Sequence, residues 1–178
     1  MKPGFTQEQS SKNMERKIKF TIRKMNKADR EWAAKFLKEH WGSEKIISRG
    51  RVYYLTALSG FVAINSGKYL GLATYIVEKK ECQITSLNSI VERKGVGTAL
   101  VERVKKEAKK LKCKRLWLTT TNDDIDALRF YQRRGLSFKK IYPGAVTSAR
   151  KKLKPEIPLI GDYGIPIKDE IEFEIVFK

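Results

Sequence analysis

The stretch from Leu87 to Leu100 constrains this chain more than any other: an apolar strand runs through a basic turn holding Gly95 and Gly97 and passes directly into a helix. The first N–H groups of a helix have no partner within it and point outward, and glycines at that place leave nothing to block an approaching oxyanion. The turn therefore reads as a cradle for phosphate. Two glycines so spaced also make an ordinary structural turn, so the rest of the chain has to decide between these readings.

Around that turn the hydrophobic period changes several times. Ile18, Phe20 and Ile22 alternate with polar neighbours, as in a half-buried strand. A helix follows from about Lys27 to Trp41, capped by Asn26, ended by Gly42, with Trp32, Phe36 and Leu37 as its apolar face. Ser43 to Leu58 has weak periodicity and reads as loop plus a short helix. Residues 61–64, 69–77 and 81–90, joined at Asn65–Gly67 and Lys79–Lys80, read as three antiparallel strands. From Val96 a helix places Val96, Leu100, Val104, Ala108 and Leu111 on one face. A strand over 114–120 follows, then a helix from about Asp124 to Arg134, capped by Asn122 or Asp123 and stopped by Gly135. After a strand over 136–142, residues 143–170 form a mostly irregular excursion with a short helix around Val146 to Leu153. The chain closes on Ile171, Phe173, Ile175 and Phe177, which alternate as one strand. This order indicates a mixed sheet flanked by helices, of α/β (α+β) class.

A chain of 178 residues suits one domain over 17–178 behind a polar tail at 1–16. That tail has no hydrophobic signal region and no run is long enough to span a bilayer, so a soluble cytoplasmic protein with no membrane partner is expected. Cys82 and Cys113 match neither a zinc nor a disulfide pattern, and His40 is the only histidine, so no metal is expected. Lys and Arg number 38 against 20 Asp and Glu, a formal charge of +18 that favours anionic partners.

Two segments resemble the GNAT superfamily of acyl-CoA-dependent N-acyltransferases, and element order extends the resemblance from about Ile18 to Phe177. Glu92, Arg93, Lys94, Gly95, Val96 and Gly97 match its Q/R-x-x-G-x-G/A signature, with Glu92 in place of the usual Gln or Arg. The segment from Asn122 to Leu136 is similar to the family's N-x-x-A-x-x-F-Y-x-x-x-G-F motif. The resemblance implies a mostly antiparallel central sheet with helices on both faces, and acetyl-CoA as cosubstrate. The amides from Arg93 to Thr98 would hold its pyrophosphate, and the strand edge at Leu87, Asn88 and Ser89 its pantetheine arm and the developing oxyanion. Tyr131 would protonate the departing sulfur. The family's asparagine falls at Asp124, so Asn122 either does its work from two residues earlier or only caps the helix.

The attacking amine must also lose a proton. Glu81 stands fourteen residues before Gly95, where the histone-acetylating branch has its glutamate. Either it is the base, or it balances Lys79 and Lys80 and water serves instead. Trp41, Arg49, Arg51, Tyr53 and Tyr54, with the 143–170 excursion, are positional candidates for the acceptor pocket. The acceptor is an amine of a small molecule or protein, and a homodimer is compatible with the sequence. The alternative is a basic nucleic-acid- or ribosome-binding module on the same scaffold without catalysis, motivated by the charge.

Overall fold

The computed structural model describes residues 18–178, so the polar tail expected at 1–16 lies outside the described residues. The elements are β1 (Thr21–Lys24), α1 (Lys27–Trp41), β2 (Lys45–Ser48), β3 (Arg51–Tyr54), β4 (Ser59–Asn65), β5 (Lys68–Glu78), β6 (Glu81–Ser89), α2 (Val96–Lys110), β7 (Arg115–Thr121), α3 (Ile125–Gln132), β8 (Ser137–Tyr142), α4 (Ala145–Lys152) and β9 (Glu170–Val176). Seven strands form one sheet in the order β1-β4-β5-β6-β7-β9-β8, in which only β6 and β7 run parallel.

α1 begins where its sequence says: the Asp29 N–H donates to Asn26 Oδ1 at 3.0 Å, and the Asn26 N–H to Asp29 Oδ2 at 2.7 Å, a reciprocal capping box. It ends at Gly42, whose φ of 71° suits a residue without Cβ. The next segment differs from the loop and short helix expected there. It is the β2–β3 hairpin, turned at Arg49 (φ 50°) and Gly50 (φ 70°), followed by a single 3-10 turn at Leu55–Ala57. Two left-handed residues in succession twist the strands correctly for a tight hairpin. With Arg rather than Asn or Asp first, the usual signal is hidden.

The sheet is covered on both sides. Phe61, Ala73, Ile84, Leu118 and Phe173 face α2 and α3, while Val62 and Leu72 face α1 and the hairpin through Leu37, Ile46 and Tyr53. Two expectations shift. α2 ends at Lys110, so Leu111 caps it from outside and is half exposed rather than on the inner face. On β9 both faces are buried: Ile171 and Phe173 lie in the core as the alternation implied, but Glu170 and Glu172 on the other face are also inside.

Gly71 sets how closely α2 approaches the sheet. A Cβ there would lie 2.7 Å from Asn88 O and 2.8 Å from Val96 Cγ1, and the backbone oxygen cannot swing away. Gly71→Ala is expected to destabilise the fold by about 1–3 kcal/mol, as overpacking does, read as a lowered urea midpoint with an unchanged slope.

Candidate active site

The site is built by a fork in the sheet. β6 and β7 pair only at Glu81–Gln83 with Arg115–Trp117, yet β6 continues to Ser89 and β7 to Thr121. The parting has a local cause. In the β5–β6 ladder Thr74 faces Ser86 and Tyr75 faces Ile84, leaving Thr85 as an extra residue in β6. Such a bulge bends its strand and raises its twist. The fully buried Thr74 pins it, its Oγ1 lying 2.7 Å from Thr85 Oγ1 and 2.6 Å from Ser86 Oγ. Beyond the bulge the β7 side of β6 is an unpaired edge, free to bond an extended amide.

A cavity of about 480 Å³ passes through this fork. On the α3 side it is lined by Ile84, Leu118 and Tyr131; on the hairpin side by Ile46, Ile47 and Thr119, with Val146, Ala149 and Ile167 closing it. The hairpin is docked at the branch point by a buried chain: Tyr53 Oη donates to Gln83 Oε1 (2.9 Å), Gln83 Nε2 donates to Ser48 Oγ (2.9 Å), and Ser48 Oγ lies 2.8 Å from Thr119 Oγ1.

Tyr131 is 8% exposed and its ring packs against Phe130 and Phe173. Burial raises the phenol's pKa, and the negative charge of Asp124 raises it further against an opposing effect of Arg134. The group is therefore held neutral, as a proton donor facing the cavity. Asp124, not Asn122 or Asp123, caps α3: its carboxylate accepts from the Ala127 N–H at 3.0 Å and from Thr120 Oγ1 at 3.1 Å.

The glycine turn is at the start of α2. Gly95 is the cap, at φ 80°, and open space surrounds the place of its missing Cβ; its backbone conformation is what demands glycine. Gly97 is different, since a Cβ there would meet Phe130 Cζ at 3.4 Å. The first helical bond runs from the Ala99 N–H to Gly95 O, leaving the amides of Val96, Gly97 and Thr98 ahead of it without a helical acceptor. Arg134 adds a cation beside them. Its guanidinium donates to Thr98 Oγ1 through Nε (3.0 Å) and Nη2, and stacks 3.4 Å over the Phe130 ring. Glu92, Arg93 and Lys94 precede the cap on the surface, with Glu92 and Arg93 exposed and Arg93 at φ 54°. Along the strand edge Leu87 lines the cavity, Ser89 turns its hydroxyl to Val91 O, and Asn88 Nδ2 is buried with no partner among the described residues. An open edge, an orphaned amide donor and three free helical amides beside an arginine fit a thioester whose arm is an amide chain and whose tail is a diphosphate.

Several expected residues are placed elsewhere. Glu81 sits at the closed end of the fork, 2.9 Å from Arg115 Nη2, and does not line the cavity, because the parallel pairing holds it beside Arg115. Asn122 neither caps α3 nor reaches the cavity. It donates to Pro166 O and accepts from the Lys168 and Asp169 N–H groups, which fastens the excursion to the end of β7. Among the acceptor candidates, Arg51 pairs with Glu78, Tyr53 serves the docking chain and Tyr54 is exposed. Arg49 lies over the Trp117 and Tyr142 rings. The excursion does close the pocket. Arg150 holds it in place by donating to Ile157, Pro158 and Ile167 carbonyls at 2.6–2.8 Å.

Two charged residues in the cavity carried no signal in the sequence. Glu170 is 5% exposed, accepts the Arg49 N–H at 2.8 Å and has no ion pair among the described residues. Burial raises its pKa more than that bond and the Arg49 charge lower it. Lys154 is 6% exposed and donates from Nζ to Lys45 O at 3.2 Å, again with no ion pair among the described residues. Burial lowers its pKa, against the pull of Glu156. The tidy alternation of β9 and the surface-like KKLK sequence read as ordinary solvent-facing charge.

The model of the acetyltransferase (GNAT) family matches residues 25–136. An uncharacterized Bacillus subtilis protein, YdhI, is 44% identical over 142 residues, 79% of this chain and 88% of that one. Among solved structures, an IAA acetyltransferase from Bacillus cereus superposes with TM-score 0.73 at 20% identity, covering 89% of this chain and all of the other. A GNAT family acetyltransferase from Elizabethkingia anophelis with acetyl-CoA bound gives 0.67 at 20% identity, over 89% of this chain and 98% of the other.

The raised pKa of Glu170 has a thermodynamic consequence. The unfolded carboxyl ionises first as pH rises past about 4.3, so the native state loses stability between that pH and the folded pKa and stays penalised above it. Glu170→Gln keeps an oxygen for the Arg49 N–H and removes the buried charge. It is expected to melt at the same or a higher temperature than the parent at pH 7, with the gap closing below about pH 4.

Proposed function

The chain belongs to the GNAT acetyltransferase family, whose members are acetyl-CoA-dependent acyltransferases, and we propose that it acetylates an amine by direct attack within a ternary complex. The observation that carries this reading is the cavity through the fork, on which the bulged strand and Tyr131 both open.

Acetyl-CoA supplies an acetyl group activated as a thioester and a sulfur able to depart as thiolate. The chain's residues do the rest. The amides at Val96, Gly97 and Thr98, with Arg134, hold the diphosphate; their orphan N–H groups and the cation stabilise charge there. The edge of β6 past Thr85 aligns the pantetheine amides, and a backbone N–H near Leu87 or Asn88 receives the oxyanion. Tyr131, kept neutral by burial, holds a proton at Oη for the departing sulfur. The proton on the amine leaves within the cavity, since Glu81 is engaged by Arg115 at the other end of the fork.

The charge of +18 would also suit a nucleic-acid-binding module. The ion pairs of Arg115 with Glu81, Glu172 and Glu174, and of Arg103 and Lys24 with Glu107, cancel cations and anions together and leave that surplus intact. The surplus then acts as a field steering a polyanionic cosubstrate.

Titration calorimetry with acetyl-CoA is expected to give saturable one-to-one binding; none at micromolar protein would end the enzymatic reading. Tyr131→Phe is expected to bind acetyl-CoA as the parent does and lose on the order of 100-fold or more in kcat. Unchanged turnover would remove the phenol from the reaction.

A further inference from the structure

A buried charge without a counter-charge is unfavourable, and proteins normally compensate it. Glu172, one pleat along β9 from Glu170, is compensated fully: Arg115 donates to Oε1 at 2.9 Å, Tyr142 to Oε2 at 2.6 Å, and Arg49 stands 3.6 Å away. Among the described residues Glu170 accepts only one backbone N–H and Lys154 donates to only one backbone carbonyl, while the charges of Arg49 and Glu156 act on them from beyond ion-pair distance. Both line the cavity, whose lining includes Ile46, Ile47, Val146, Ala149, Ile157 and Ile167, with Lys45 and Glu156 also on it. A buried carboxylate and a buried ammonium, each without an ion pair among the described residues and set beside apolar walls, are complementary to a small zwitterion with an apolar body.

Resting on the acetyl-transfer reading, we propose that the acceptor is an apolar α-amino acid, its ammonium received by Glu170 and its carboxylate by Lys154. Glu170 takes one proton from the ammonium. The freed nitrogen lone pair forms the N–C bond at the thioester carbonyl, and the carbon–sulfur bond breaks with its electrons going to sulfur, which takes the Tyr131 proton. The nitrogen's second proton restores the phenol, and Glu170 returns its proton to solvent. The products are an N-acetyl amino acid, free thiol and one proton. Tyr131 and Glu170 open on the cavity from opposite faces of the sheet, so the amine approaches the thioester carbonyl from the Glu170 side while its sulfur lies toward Tyr131.

The occupants it excludes follow from the same chamber. A decarboxylated amine would leave Lys154 without a counter-charge. A protein N-terminus would have no carboxylate to offer it.

The test follows thiol release from acetyl-CoA with leucine, methionine and phenylalanine, each beside its decarboxylated amine (isoamylamine for leucine) and a short peptide beginning with the same residue. The full-length protein is expected to prefer each amino acid over its amine and peptide by at least about tenfold in kcat/KM. Lys154→Met is expected to raise KM for leucine about tenfold or more while leaving isoamylamine unchanged. Glu170→Gln should lose on the order of 100-fold in kcat/KM for both, with acetyl-CoA affinity and melting temperature retained. Equal or better use of the amines or peptides overturns the proposal. So does acetyl-CoA binding without turnover of any of these amino acids, which leaves the acetyl-transfer reading standing. Failure to bind acetyl-CoA removes both.

Discussion

One inserted residue divides the sheet. Thr85 puts β6 out of step with β5, and β6 cannot both follow that bend and stay paired to β7. A sheet interior normally hides its backbone groups in ladders; here they are exposed in the middle of the molecule without any edge of the sheet being reached. The hydroxyl cluster of Thr74, Thr85 and Ser86 bonds across the bulge, so the opening is built into the ladder itself. Both faces then have access to one cavity, and an acid on one side can serve a nucleophile arriving from the other.

Around that opening the protein distinguishes between charges it neutralises and charges it leaves bare. The Arg115 guanidinium gathers Glu81, Glu172 and Glu174 at the closed end of the fork. At the open end Glu170 and Lys154 are equally buried and lack such partners. Stability alone gives no reason for the difference, because pairing or replacing either group would favour the fold. A ligand that supplies the missing partners does give one, and it is held most tightly where the protein is least satisfied without it.

How much was legible in the sequence depended on whether the signal was local. The capping box at Asn26 and Asp29, the switch to helical period at Val96 and the FY pair before Gly135 are each written within a few residues, and the elements stand where these signals put them. The hairpin at Lys45–Tyr54 was not legible, because two four-residue strands are too short to show alternation and its turn opens on Arg49. The surroundings of Glu81 were hidden for a related reason. Glu81 has the right spacing along the chain, but the parallel register ties it to Arg115, and only the three-dimensional pairing reveals that Glu170 faces the chamber instead. Asn122 fits a helix cap by residue type, while its three bonds go to residues more than forty positions away.

The hairpin also couples folding to chemistry. Its turn residue Arg49 gives its N–H to Glu170 and its guanidinium to the Trp117 and Tyr142 rings and Glu172, while Ser48 beside it bonds Thr119 across the fork. Undocking the hairpin would therefore open the chamber and hydrate Glu170 at the same moment. Hydration returns the carboxyl toward its ordinary acidity. The short hairpin is thus more than a wall: its docking sets the basicity of the group it covers, and the left-handed turn at Arg49 and Gly50 is the local geometry that aims an N–H at that carboxylate.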